Sequence, residues 1–212
     1  MNSKKIILDL CGGTGSWSKP YKDAGYTVYN LTLPDCDLRT DIELYEDKIF
    51  IGHDTYLPIK DIYGILAAPP CTMFSFARTT AIKPRDFTQG LELVNICQKI
   101  IQWVRLYGNL KFWAMENPTG YLRQFIGKPY LQIQPFEYGD PYAKKTDLWG
   151  YFNQPKKKPI VLSEEIKNYC YFNNRVMPRL PEGYRSPEGR NYAARRAMTP
   201  RGFANAFYKA NQ

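Results

Sequence analysis

Three observations predict an α/β fold built on a mostly parallel sheet with helices on both faces. Short apolar runs alternate with helical spacing over residues 5–125. The first run opens directly into a glycine-rich turn, Cys11-Gly12-Gly13-Thr14-Gly15. Two later runs, of consecutive apolar residues rather than apolar–polar alternation, stop at proline, as strands buried on both faces and punctuated at their carboxyl ends would.

Taken in order, residues 5–10 are rich in Ile and Leu and read as the first buried strand. Residues 18–24 read as a short helix closed by Gly25, and residues 26–33 as a second strand. Residues 35–42 are polar and read as a loop. Residues 61–68 form a third strand that runs into Pro69-Pro70 and must stop there, because proline lacks a donor and restricts the residue before it. Apolar residues at 91, 93, 94, 96, 97, 100, 101, 103, 104 and 106 have helical spacing for a well-buried helix over 87–107, with Gly108 as its cap. Residues 111–115 read as a fourth strand stopped by Glu116-Asn117-Pro118, and a further helix starts near 121–125. Regularity fades after Gly150, where prolines at 155, 159, 178, 181, 187 and 200 mark an irregular region, and a last helix is expected over 200–210.

With 212 residues, 44% hydrophobic and 23% charged, the chain is long enough for one sizeable core and is not of disordered composition. No apolar run would span a bilayer and no signal peptide is read, so a cytoplasmic protein is expected. The five cysteines (11, 36, 71, 97 and 170) are odd in number and include no Cys-x-x-Cys, which argues against a disulfide framework and a structural metal site. The net charge of +9 suits a polyanionic partner. Its cations crowd the last third: Lys144, Lys145, Lys156, Lys157, Lys158, Arg175, Arg179, Arg185, Arg190, Arg195, Arg196 and Arg201.

Three strand-end loops carry the candidate chemistry. The glycine turn lets the backbone approach a ligand closely. It matches neither Gly-x-Gly-x-x-Gly nor the Gly-Lys-Ser/Thr of a phosphate loop, so dinucleotide binding and ATP hydrolysis are disfavoured. Pro69-Pro70-Cys71, with Ser75 close behind, presents a thiol in a stiff loop; the plainer alternative is a buried structural cysteine. Glu116-Asn117-Pro118 presents a carboxylate, or else a simple turn. In a doubly wound sheet all three loops lie on one edge, where a ligand loop, a thiol and a carboxylate converge.

Together these residues resemble the DNA (cytosine-5) methyltransferase family. Leu8-Asp9-Leu10-Cys11-Gly12-Gly13-Thr14-Gly15-Ser16-Trp17 is similar to its S-adenosylmethionine loop, and Ala68-Pro69-Pro70-Cys71-Thr72-Met73-Phe74-Ser75 to its nucleophile block. Met115-Glu116-Asn117-Pro118 is similar to its Glu-Asn motif, with Pro where Val is usual. Tyr138-Gly139-Asp140-Pro141-Tyr142-Ala143-Lys144-Lys145-Thr146 resembles its Tyr-Gly-x-Pro block, and Met198 to Ala204 is a vaguer match.

The resemblance implies a Rossmann-like S-adenosylmethionine-dependent methyltransferase fold, with a catalytic core over 1–150 and a short basic segment plus C-terminal helix over 151–212 packing back on it. It implies catalytic roles for Cys71, Glu116, Asn117 and Lys144. Cys71 adds to C6 of cytosine, Glu116 hydrogen-bonds N3 and the exocyclic amine, Asn117 holds the loop, and Lys144 stands in for an arginine at the base carbonyl. A lowered thiol pKa is expected for Cys71. Asp9, Cys11, Gly12, Gly13, Gly15, Ser16, Trp17 and Pro69 are implied to bind S-adenosyl-L-methionine, and Pro70, Ser75, Pro118 and Lys145 the substrate. No metal is implied.

Three departures stand out. The family's acidic residue at the end of the second strand is missing from Tyr29-Asn30-Leu31-Thr32-Leu33-Pro34; Asp35 and Asp37 come later, and Asp37 is assigned a place near the adenine. The arginines of the later block are replaced by Lys144, Lys145 and Thr146. Residues 151–197 leave room for only a short target-recognition insert, while reading base pairs takes elements that fill a groove and extruding a base takes a surface to hold the duplex. The leading expectation is C5 methylation of cytosine in duplex or single-stranded DNA. The second is the same chemistry on a cytidine nucleotide such as dCMP or on tRNA. The third is a non-catalytic nucleic-acid-binding relative, against which the joint presence of Cys71 and Glu116 speaks.

Overall fold

The computed structural model describes residues 2–78, 81–163, 179–180, 182 and 191–212. Cys170, Arg175, Arg185 and Arg190, and the prolines at 178, 181 and 187, lie outside the described residues. The protein is an α/β structure with a six-stranded, mostly parallel sheet and a separate three-stranded antiparallel sheet.

Strand β1 (Ile6–Leu10) pairs in parallel with β2 (Thr27–Leu31) on one side and, across the sheet, with a strand that comes much later, β6 (Ile62–Ala67). The chain thus leaves β1 in one direction and later returns to its other flank, which makes the carboxyl ends of β1 and β6 a topological switch point. Strand β7 (Phe112–Pro118) continues the parallel set beside β6. The last two strands, β9 (Thr146–Tyr151) and β8 (Leu131–Ile133), complete the sheet in antiparallel fashion, so that it is mixed.

The central strands β1 and β6 are buried almost throughout, as their mostly apolar sequences require; Asp9 is the one charged residue among them. Side chains alternate between faces. On one face Leu8, Leu10, Ile65, Ala67 and Met115 pack against α2 (Phe87–Tyr107) through Val94, Cys97, Ile100, Ile101 and Val104. Asp86 caps α2 by accepting from Gln89 N at 2.9 Å. On the other face Ile7, Leu66, Phe112, Ala114 and Leu148 meet the short α1 (Lys19–Asp23) through Tyr21 and the last helix through Phe203, Ala204 and Phe207. The remaining helices are α3 (Leu122–Ile126), α4 (Asn191–Ala197) and that last one, α5 (Arg201–Ala210); only α2 and α5 are substantial. No described helix is long and apolar enough to cross a membrane.

The structure departs from the sequence-based reading in three places. Between β2 and β6 the helix–strand alternation breaks, and β3 (Ile42–Leu44), β4 (Lys48–Ile51) and β5 (Thr55–Pro58) form the small antiparallel sheet, sealed onto the core by Ile49 and Leu57. Strand β7 does not stop before Glu116 but runs through Glu116, Asn117 and Pro118, because β9 supplies partners there: Glu116 opposite Leu148, Asn117 opposite Asp147 and Pro118 opposite Thr146. Proline is tolerated as the terminal residue, where the ladder needs no further donor. Residues 131–133 and 146–151, left unassigned by the sequence, are strands.

Candidate active site

The cavity at the switch point has a volume of about 290 Å³ and draws on all three strand-end loops. Asp9, Cys11, Gly12, Gly13 and Trp17 come from the end of β1, Pro69, Pro70, Cys71 and Ser75 from the loop after β6, and Glu116 and Pro118 from β7. Lys144, just before β9, completes this set.

At the glycine turn Cys11 (φ 56), Gly13 (φ 54) and Gly15 (φ 68) all lie in the left-handed region. A Cβ on Gly12 would come within 2.4 Å of both Asp9 Cγ and Asn30 Oδ1. The turn is tied to β2 by Asn30 Nδ2, which donates to Gly13 O at 2.9 Å, and by Thr32 Oγ1, which accepts from Gly13 N at 3.3 Å. Asp9 is fully buried; its Oδ2 accepts from Ser18 Oγ at 2.5 Å, and its Oδ1 has no partner among the described residues. Burial pushes its carboxyl up from 3.8 to about 6, against the pull of the Ser18 bonds. Trp17, wedged against Phe207 with ring centroids 5.4 Å apart, likewise has a buried Nε1 without a partner among the described residues. One cavity thus holds an acidic acceptor and an N–H donor, each unsatisfied. That pair matches the ammonium and carboxylate of a zwitterionic amino-acid group.

The Cys71 loop is held from several sides. Phe74 N and Ser75 N donate to Cys71 O at 3.0 and 2.8 Å, and Asn117 Nδ2 donates to Pro69 O at 2.9 Å. Arg85 donates to Met73 O at 2.8 Å and Ser75 O at 2.9 Å, and the buried Phe74 ring packs on Phe87 and Phe125. Loop stiffness therefore follows from anchoring as well as from the prolines.

Glu116 is 8% and Lys144 6% exposed. Glu116 Oε2 has no hydrogen-bond partner among the described residues. Burial raises the Glu116 carboxyl; Lys144 pulls it down and Asp147 pushes it further up. The Cys71 thiol is raised, not lowered as the sequence suggested: burial dominates, Lys144 and Arg196 oppose it, and Glu116 adds to it. Cys71, Glu116 and Lys144 thus form one electrostatic group in the cavity.

Other expected site residues lie outside this cavity. Asp37 binds Arg39, whose Nη1 donates to its Oδ1 at 3.1 Å while Nε donates to Glu92 at 2.8 Å. The place expected for an acidic residue is occupied by Asn30 and Thr32, which brace the turn instead. Ser16 Oγ accepts from Thr199 N at 2.9 Å, Gly15 N donates to Gly12 O at 2.9 Å, and Asn117 acts behind the wall through Pro69. Lys145 lines a second, adjoining cavity. Among the basic residues, Lys157 pairs with Glu137 at 2.6 Å, and Arg196 lines the first cavity.

Sequence reasoning did not place Ala194, Arg196, Ala197, Met198 and Thr199 at the site, yet α4 and the segment after it close one wall of the cavity. The signals were Arg195-Arg196 within the basic run and the vaguer family match that begins at Met198. Asp140, in the Tyr-Gly-Asp-Pro stretch, anchors the start of α5, where its Oδ2 accepts from Gly202 N at 2.8 Å.

The fold and site define an α/β protein whose switch-point cavity carries a thiol, a carboxylate and a lysine. No protein-family model and no curated protein matches the chain.

Proposed function

We propose that this protein is an S-adenosylmethionine-dependent methyltransferase of Rossmann-like fold that methylates C5 of cytosine, in DNA, through a covalent bond between Cys71 Sγ and C6. The observation that carries the reading is the convergence of Cys71, Glu116 and Lys144 with the glycine turn in one cavity. Each stands out separately in the sequence, and their meeting in one cavity is more specific than any of them alone.

S-adenosylmethionine, when bound, supplies an electrophilic sulfonium methyl. The residues that suit it are Asp9 for its ammonium group and Trp17 Nε1 for its carboxylate, beside backbone exposed by Gly12 and Gly13. Cys71 Sγ, as the thiolate, forms a bond to C6 and converts the C5–C6 double bond into a nucleophilic enamine at C5. Glu116, protonated, donates to N3 and offsets the charge that arrives with the thiolate. Lys144 holds positive charge beside both groups. With the methyl group carried by C5 and the donor gone as its neutral thioether, removal of the C5 proton by a base restores the double bond as the Sγ–C6 bond breaks, and Cys71 is released as the thiolate. Asn117 acts as a positioning residue through Pro69 O.

The test is mechanism-based trapping. An oligonucleotide carrying 5-fluorocytosine has no C5 proton to lose, so the wild type with the methyl donor is expected to form an adduct that survives denaturing electrophoresis. Cys71→Ser is expected to form none while keeping the wild-type melting temperature. Absence of adduct with wild type on DNA, RNA and nucleotide substrates would reject the reading. Labelling of dCMP but not DNA would reject the polymer substrate and keep the chemistry.

A further inference from the structure

The open question at this site is what replaces a recognition domain, and the second cavity bears on it. It measures about 410 Å³ and adjoins the first through Ser75, Ala77 and Lys144, which line both. Its other lining residues include Phe76, Gln134 and Lys145. A mononucleotide whose base sat between Cys71 and Glu116 would leave this second space unused.

The lining has the character of a nucleotide site. Phe76, beside this cavity, is 54% exposed. It is not loose: it makes a T-shaped contact with Tyr121, centroids 4.9 Å apart, and the Arg85 guanidinium covers Tyr121 at 5.0 Å while bonding Met73 O and Ser75 O. A supported aromatic face of this kind binds any base by stacking. Lys145 is exposed and adds a cation for a phosphate. Gln134 spends its Oε1 on Lys144 N at 3.0 Å, so the amide's remaining donors are on Nε2.

Building on the proposed chemistry, we infer that the second cavity binds the nucleotide next to the target cytosine, with its base on Phe76 and its phosphate at Lys145, and that the substrate is therefore a polynucleotide strand and not a free nucleotide. Phe76 is thereby a specificity-determining residue. It sets substrate length and touches no reacting atom.

Fluorescence anisotropy with 5′-labelled oligonucleotides one to five nucleotides long, in DNA and RNA series, tests this directly. Binding is expected to strengthen about tenfold on passing from one to two or three nucleotides, the worth of one stacked base. Phe76→Ala should erase that step and Phe76→Trp restore it, while Lys145→Gln should flatten the salt dependence. In methyl-transfer assays Phe76→Ala should raise KM for an oligonucleotide with kcat preserved. Affinity independent of length, or a Phe76→Ala variant that binds like the wild type, would overturn the inference. Length-dependent binding without methyl transfer would instead reject the proposed reaction and leave the subsite standing, and the two nucleic-acid series show which sugar the subsite accepts.

Discussion

Asp9 is the residue at which stability and proposed function conflict most directly. In the folded chain its carboxyl titrates at about 6 instead of 3.8, because burial in the core outweighs the hydrogen bonds from Ser18. A shift of about two units corresponds to roughly 3 kcal/mol of destabilisation once the group is ionised, an upper figure for this site. The folded state holds the proton more tightly than the unfolded state. Stability is therefore highest below the unfolded value near 3.8, falls as pH rises to about 6, and falls no further from this group above that. Asp9→Asn keeps an oxygen to accept from Ser18 but does not titrate. The difference in unfolding free energy, variant minus wild type, should be near zero or negative at pH 3.5, rise across the window and level off about 1–3 kcal/mol in favour of the variant above it. Denaturant titrations at half-unit pH intervals measure that curve. The same substitution should abolish calorimetric binding of the methyl donor at pH 7.5, since the buried charge that meets its ammonium group is gone. A difference curve that is flat with pH, or that falls as pH rises, would refute the electrostatic reasoning. A stabilised variant that still binds the donor at wild-type strength would refute the role given to Asp9.

Two further perturbations probe the site and its frame. The pH dependence of Cys71 alkylation by iodoacetamide should move to lower pH in Glu116→Gln and to higher pH in Lys144→Met, since Glu116 disfavours the thiolate and Lys144 favours it. Unchanged profiles in both would mean that the three groups do not interact. Arg123→Ala should cost about 3 kcal/mol in denaturant unfolding, because the fully buried Asp147 loses its cation and keeps only Thr119 and Gln132 as side-chain donors; a loss below about 1 kcal/mol would show that those two donors suffice.

Legibility tracked how completely a segment's structure is determined by its own residues. The helix over Phe87–Tyr107 was readable to the residue because a long apolar stripe has helical spacing and Gly108 closes it. Strands β1 and β6 were readable as runs rich in Ile and Leu, with Asp9 the one charge in them, that end at a glycine turn and a double proline. Strand β9 was not. It carries the buried Asp147 within the run, and that charge is tolerable only because Arg123, 24 residues earlier, reaches it. The β3–β5 sheet escaped notice because its strands are short and bury few side chains fully, chiefly Ile49 and Leu57. At the site, the local motifs lie in the cavity where their loops put them, whereas Asp37 lies outside its lining, after β2 has ended at Leu31, with its carboxylate paired to Arg39. The place of Ala194 to Thr199 as a wall of the cavity was not readable, for a different reason. That wall is tied back to Ser16 across 183 residues of sequence, and spacing along a chain carries no trace of such a contact.

The raised thiol of Cys71 sharpens the proposed mechanism. The expectation of a lowered value rested on the thiolate being the reactive form, but burial and Glu116 act the other way. Creating a thiolate beside an ionised Glu116 would place two negative charges around one lysine, with Glu116 and Lys144 both buried. Moving one proton from Cys71 to Glu116 avoids this. The three side chains keep the same total charge, Lys144 stays beside the negative one, and the neutral Glu116 becomes a donor where the base offers N3 as acceptor. Burial also makes that proton welcome, since it raises the Glu116 carboxyl. On this account the resting thiol is protected by its protonation, and the base itself, by accepting a hydrogen bond from neutral Glu116, favours the charge distribution in which Cys71 can attack. The nucleophile is then armed by its substrate, which is why the alkylation profile of Glu116→Gln, with the carboxylate made permanently neutral, is the most telling of the measurements at this site.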